Sequence, residues 1–306
     1  MSFRLNHVHV YMLVNNNEVA LFDTGLDISG SLSLLKKDME SIGQSLEAVR
    51  DIYITHSHGD HCGMAGLIKK KSGAIIHLSP QADEANRNYS NTDLLMLKMK
   101  NFYLSHGLNE QQVDNTIEVF SATRNIVAAF EGDYCLQPNE IREFGGWQFE
   151  CIFTPGHSNG HICYCFRKEG ILLSGDTVLP HITPNLSPDL FDENFRPLEN
   201  FLASLDTVAN LPVGKICPGH GNVMSNVRAR VQELHVHHAE RTQLILRCLG
   251  ATPKTAFQVA LGVFGDDLPD FDKFLALNET YVHLLDLKDK GIIKEEQDGN
   301  ILVYTA

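Results

Sequence analysis

Asp51-Ile-Tyr-Ile-Thr55-His56-Ser57-His58-Gly59-Asp60-His61 is the most informative stretch of this 306-residue chain. Its first five residues read as a strand, rich in β-branched and aromatic side chains. Three imidazoles and a carboxylate then follow within six residues, at His56, His58, Asp60 and His61. Donors crowded at the carboxyl end of a strand can converge on cations. Nitrogen with oxygen suits zinc, iron or manganese, whereas calcium or magnesium would want more oxygens. The bland alternative is a polar loop in a chain with 15 histidines.

Three more ligand types stand directly after strand-like runs. They are His157 in Thr154-Pro-Gly-His157, Asp176 in Ser174-Gly-Asp176, and His220 in Cys217-Pro-Gly-His220-Gly. The runs before them cover residues 147–154, 171–173 and 215–217; further strands are expected at 7–14, 18–22, 74–78 and 161–166. Helical spacing at 31–42 and 62–71 mixes with these strands, which predicts a layered α/β or α+β domain.

In order and setting, these motifs resemble the metallo-β-lactamase-fold hydrolases, whose pattern is HxHxDH, then His, Asp and His. Phe22-Asp23-Thr24-Gly25 is similar to the family's early aspartate turn, and the resemblance covers roughly residues 5–250. It implies an α+β fold, a four-layer αβ/βα sandwich. It also implies two divalent metal ions, zinc first, with iron or manganese as substitutes. His56, His58 and His157 would hold one ion, Asp60, His61 and His220 the other, and Asp176 would bridge them. Asp60 and Asp176 would then be required for activity. The implied nucleophile is a bridging hydroxide, because two metals about 3.5–4 Å apart bring the pKa of a shared water towards about 7. Flavodiiron oxygen reductases carry Glu at the second ligand position, so His58 gives the hydrolase form. Persulfide dioxygenases keep HxHxDH and bind one iron, which leaves iron chemistry open.

Around this set, Asp23 reads either as a group orienting the ligands or as an Asx-turn cap before Gly25. His161, four residues after His157, matches the TPGHxxGH form and is expected to support the site without ligating. His181 follows Asp176 by five residues and is expected near substrate, with an ordinary loop histidine as the alternative. His235, His237 and His238 are expected on the solvated face of a helix. Cys163 and Cys165 read as packed side chains.

The chain carries 25 Lys and Arg against 38 Asp and Glu, a net charge of −13, which repels nucleic-acid backbones. At 43 % hydrophobic and 21 % charged residues it should fold, and seven cysteines without CxxC pairing argue against a disulfide framework. No run approaches the roughly 18 apolar residues that span a bilayer, and the N-terminal stretch lacks the apolar core of a signal peptide. A soluble cytoplasmic protein with no membrane partner is expected.

Residues 1–225 are expected to form the catalytic domain, 226–249 a linking helix stopped by Gly250 and Pro253, and 250–306 a winged-helix-like domain. That last domain would comprise helices at 255–264 and 279–290 and a hairpin turning at Asp298-Gly299. A helical insertion at about 82–131 could cap the cleft, with Met96, Met99 and Phe102 lining an apolar pocket or packing on the core. The same ligands serve thioester, lactone, β-lactam and RNA cleavage, so the motif names a mechanism and not a substrate. A small acyl substrate, cleaved in glyoxalase II-like fashion as a thioester or related ester, is the first reading; a lactone is a variant of it. No basic positions matching glyoxalase II's glutathione site are found. An endoribonuclease of the β-lactamase-like type is the alternative, because that group also joins this domain to a winged-helix tail. Residues 250–306 hold five lysines against ten carboxylates, a poor surface for phosphate, so the tail is read as a packing or homodimerisation element.

Overall fold

The computed structural model describes residues 7–124 and 127–306. The first half runs β1 (Tyr11–Asn15), β2 (Glu18–Phe22), α1 (Ser31–Ser41), β3 (Val49–Tyr53), α2 (Gly59–Cys62), α3 (Ala65–Ser72), β4 (Ile75–Leu78), α4 (Pro80–Ser90), α5 (Thr92–Ser105), α6 (Glu110–Arg124) and β5 (Tyr134–Cys135). The second runs β6 (Ile141–Phe144), β7 (Trp147–Phe153), β8 (Ile162–Phe166), β9 (Ile171–Gly175), α7 (Pro197–Ala209), β10 (Lys215–Pro218), α8 (Val227–Leu249), α9 (Ala256–Phe264), α10 (Asp270–Asp289), β11 (Lys294–Asp298) and β12 (Ile301–Thr305).

Two five-stranded sheets, in the orders β1-β2-β3-β4-β5 and β10-β9-β8-β7-β6, face each other. Strand alternation explains the layering. In β2, Val19 and Leu21 join the core beneath α1 and α3, while Ala20 and Phe22 enter the core between the sheets. In β8, Cys163 and Cys165 face α7 and α8, while Ile162, Tyr164 and Phe166 meet the opposite sheet. Every side chain of β8 is therefore buried, which is the expected fate of a strand covered on both faces. The Tyr164 hydroxyl donates to the Ile54 carbonyl at 2.7 Å and ties the two sheets together beside the strand ends that carry the candidate ligands. This is the four-layer αβ/βα arrangement.

The helical insertion is present as α4, α5 and α6; its residues 125 and 126 lie outside the described residues. Ser79 caps α4 by accepting from the Ala82 amide, with Pro80 in the first turn. α8 matches its expected extent, and Gly250 ends it at φ 61°. α9 opens on a capping box, Thr255 with Gln258. The end of α8 packs with α9, α10 and the β11–β12 hairpin through Ile245, Leu249, Val259, Leu284, Ile293 and Tyr304.

Four expectations are corrected. Residues 7–10 do not extend β1. Instead the His9 amide donates to the Gly219 carbonyl at 2.8 Å, laying this segment against the end of β10. The helix expected at 62–71 is split into α2 and α3, because Met64 leaves helical geometry at φ −96° and ψ 1° and its amide donates to the Gly25 carbonyl at 3.0 Å instead of continuing the helix. α10 begins at Asp270 and not at 279. α7, absent from the sequence reading, covers the second sheet with Leu198, Phe201, Leu205 and Val208.

Candidate metal centre

The ligand types sit where strands end on one rim of the sandwich. His56 to His61 follow β3 of one sheet, while His157, Asp176 and His220 follow β7, β9 and β10 of the other. Glycines allow the approach: the Gly219 amide donates to the Gly175 carbonyl at 2.7 Å. A Cβ on Gly219 would lie 2.5 Å from Asp176 Oδ1 and 2.7 Å from His61 Cε1.

Three donor groups result: His56, His58 and His157; His56, His61 and Asp176; and Asp60, His61 and His220, each with ligand atoms within 4.8 Å of one another. His220 Nε2 is 3.3 Å from Asp60 Oδ2 and 3.5 Å from Asp176 Oδ2, and His61 Nε2 is 3.3 Å from Asp176 Oδ1. Across the centre, His157 Nε2 is 3.7 Å from Asp176 Oδ2, and His56 Nε2 is 2.9 Å from His58 Nδ1. Asp176 thus reaches both histidine groups with its two oxygens. The Nε2 atoms of His61, His157 and His220 and the Oδ1 of Asp176 are buried without a hydrogen-bond partner. Buried polar atoms are normally paired, so four convergent orphans of nitrogen and oxygen type fit a cation-binding centre.

Three of the imidazoles, those of His61, His157 and His220, are aimed by their other nitrogen. His61 Nδ1 lies 2.7 Å from Asp23 Oδ2, and Asp23 also accepts from the Thr55 amide at 2.7 Å and the Thr55 hydroxyl at 2.8 Å. Asp23 holds this position at φ 61°, a left-handed backbone that Asp tolerates better than most residues. His157 Nδ1 donates to the Asn185 carbonyl at 2.9 Å, and His220 Nδ1 to the His7 carbonyl at 2.6 Å. Such contacts fix the tautomer and turn Nε2 inward. His161 is fully buried, and its Nε2 accepts from the Asp176 amide at 3.1 Å, so it steadies the backbone of the central carboxylate.

The electrostatics of the cluster call for positive charge. Burial drives His56 well below the ordinary imidazole range, helped by His61, and takes His58 down to about 3, helped by His157. Burial would also pull His61 and His220 down. Carboxylates reverse it, Asp176, Asp23 and Asp60 holding His61 well above its usual value and Asp176 and Asp60 holding His220 at about 10. Burial works against ionising Asp60 and Asp176, yet His61 and the other imidazoles keep both below the carboxylate range. Buried carboxylates that stay ionised need cations.

The sequence model described as the Metallo-beta-lactamase superfamily matches residues 4–220, and the chain belongs to this superfamily, as a metal-dependent hydrolase. It is 24 % identical over 315 residues to the "Probable metallo-hydrolase YqjP" of Bacillus subtilis, covering 99 % of this chain and 94 % of that one. A "Beta-lactamase-like protein 2 homolog" of Caenorhabditis elegans is 25 % identical, with 95 % and 82 % covered. Among solved structures, the metallo-beta-lactamase family protein TTHA1429 of Thermus thermophilus superposes with a TM-score of 0.85 at 29 % identity, covering 97 % of this chain and 93 % of that one.

Other expected site residues lie elsewhere. Met99 is only 2 % exposed and packs with Leu95, Tyr103, Phe257, Phe274 and Leu277, and Met96 and Phe102 flank this cluster. Their contacts join the insertion to the C-terminal helices, as the core-packing alternative expects. His181 is exposed and lines a shallow cavity of about 360 Å³ with Asn222, Val223, Arg230 and Glu233. His238 is not on a solvated face: it is 1 % exposed, while His235 is half-buried beside Asp206. All seven cysteines are free, and burial pushes the Cys163 and Cys165 thiols up to about 11, the behaviour of packed side chains. Among the described residues, no helix is long and apolar enough to cross a membrane. The sequence reading missed Thr55, Asn185 and His7 as supports. Only Thr55, inside the motif, carried a local signal.

Proposed function

We propose that the chain is a dinuclear metal hydrolase acting on a small acyl compound, a thioester first. The observation that carries the dinuclear reading is Asp176, whose two carboxylate oxygens face different histidines, Oδ1 towards His61 and Oδ2 towards His157 and His220. His56, His58 and His157 would hold one ion, and Asp60, His61 and His220 the other, with zinc matched to these nitrogen and oxygen donors. Two bound divalent ions supply Lewis acidity and acidify a shared water towards neutrality. The chain's own groups then position: Asp23 and the carbonyls of Asn185 and His7 orient imidazoles, and His161 anchors the Asp176 amide. No serine or cysteine nucleophile is required.

Support for an acyl substrate comes from charge and from one local likeness. Five lysines against ten carboxylates in residues 250–306 disfavour a phosphate backbone. The "Atrochrysone carboxyl ACP thioesterase" of Aspergillus fumigatus is 32 % identical over 104 residues, about 34 % of this chain and 30 % of that one. The test is metal analysis coupled to a panel of acyl-CoA and acyl-glutathione thioesters, lactones, β-lactams and RNA. Metal-dependent RNA cleavage at substoichiometric enzyme, without thioesterase or lactonase activity, would replace this reading with the nuclease.

A further inference from the structure

A second group of metal-type donors lies away from the rim, between α8 and α10. His238, Glu279 and His283 are 1 %, 6 % and 0 % exposed, and their donor atoms converge. His238 Nδ1 is 3.4 Å from His283 Nε2 and 3.7 Å from Glu279 Oε1, and His283 Nε2 is 3.5 Å from the same oxygen. These three edges are long for hydrogen bonds, which run at about 2.7–3.2 Å. The edges of 3.4 and 3.5 Å match, and the third at 3.7 Å is slightly wider than, the separation of about 3.3–3.5 Å between neighbouring donors on a tetrahedral metal with bonds near 2.1 Å. The edges of the rim centre, 3.3 to 3.7 Å about Asp176, show the same spacing.

Protonation follows from the neighbours. The Thr242 hydroxyl donates to the His238 carbonyl at 2.9 Å, so it accepts from His283 Nδ1 at 2.8 Å. In the neutral imidazole that proton leaves His283 Nε2 as a lone pair facing a carboxylate oxygen. Glu279 Oε2 is occupied by the Leu186 amide at 3.1 Å, which turns Oε1 to the two imidazoles. Glu279 is itself buried, and the Phe201 ring packs against His238 beside it, with centroids 5.4 Å apart, so the surroundings offer that carboxylate little solvation.

The geometry points to a third metal site, taking a zinc-type divalent ion on His238 Nδ1, Glu279 Oε1 and His283 Nε2. Its burial makes it a structural clamp holding α10 to α8. It also reaches the rim, because Leu186 on Glu279 adjoins Asn185, whose carbonyl orients His157.

Crystals of the whole chain soaked in zinc and measured on both sides of the zinc edge should show an anomalous peak among the three donors. Absence of that peak, whether or not the rim centre is filled, overturns the site and leaves a proton-sharing cluster. In solution, an Asp60→Ala/Asp176→Ala/His56→Ala variant should keep about one equivalent of zinc and show a zinc-dependent rise in Tm. Adding His238→Gln and His283→Gln should abolish both. Retention of the zinc and the Tm rise in that five-fold variant would overturn the assignment. If the five-fold variant does not fold, the anomalous peak in the unaltered chain still decides. A peak here with none at the rim would fail the dinuclear reading and leave this one standing.

Discussion

Asp23 Oδ2 lies 2.7 Å from His61 Nδ1, across 38 positions of sequence, and the same carboxylate receives both the amide and the hydroxyl of Thr55. One side chain therefore aims a ligand and fixes the strand end from which the ligand motif departs. Replacing Asp23 with Ala should weaken metal binding at the Asp60, His61 and His220 group about 10–100-fold. Zinc titration against a competing chelator measures this. Unchanged affinity would show that the contact only caps a turn.

Asp176→Ala should abolish turnover while leaving the fold intact, because the carboxylate faces the histidine groups and not the core. Chelation should do the same reversibly, with activity returning on zinc addition. A variant that turns over at the wild-type rate with two metals bound removes Asp176 from the mechanism. Fewer than about one metal per chain in protein purified without chelator counts against the centre itself.

Gly219→Ala separates site geometry from fold stability. Its Cβ would sit 2.5 Å from Asp176 Oδ1 and 2.7 Å from His61 Cε1, so the ligands must shift. Displacements of this size cost on the order of 10²-fold in rate. Tm should change little, and a fully active variant would mean that the ligands can move without cost.

Met99→Ala should cost about 2–5 kcal/mol of stability, the usual range for emptying a buried methionine site. Its neighbours belong to α5, α9 and α10, so the order of preference among short and long acyl thioesters should not change. A selective rise in KM for long chains would restore these residues to substrate binding.

Burial takes His106 down to about 4. Its Nδ1 donates to the Phe102 carbonyl at 2.7 Å. The unfolded chain, with an ordinary imidazole near 6.5, binds more protons between about pH 6.5 and 4, so stability falls as pH drops through that window. For this one group the loss between pH 7 and 5 is about 2 kcal/mol. Urea midpoints at the two pH values should show a smaller drop in His106→Gln than in the unaltered chain. Equal drops would refute the assignment.

The rim centre was legible because its ligands follow strand ends and four of them fall within six residues. A strand end fixes where a side chain emerges, so order along the chain translates into position. Supports that are main-chain carbonyls, as at His7 and Asn185, carry no residue-type signal and emerge only once the chain is folded. Glu279 and His283 could be paired from their i, i+4 spacing on one helix, but His238 joins them only through the crossing of α8 with α10, which no local pattern encodes. Met96, Met99 and Phe102 show the opposite difficulty. Apolar spacing says that a face is covered without saying by what. α7 was readable in principle, with Pro197 opening it and Leu198, Phe201, Leu205 and Val208 on one side.

The hydrogen bond from His220 to the His7 carbonyl joins positions 213 apart. It sets a timetable for biosynthesis. The hexapeptide from His56 to His61 leaves the ribosome 159 residues before His220, a wait of roughly 8–32 s at translation speeds of 5–20 residues per second. Throughout that interval its imidazoles are unscreened by their partners and open to whatever cation the nascent chain meets. Correct loading is then decided by exchange after the last strand has been laid down, and cells starved of the proper ion should accumulate chains carrying a wrong one.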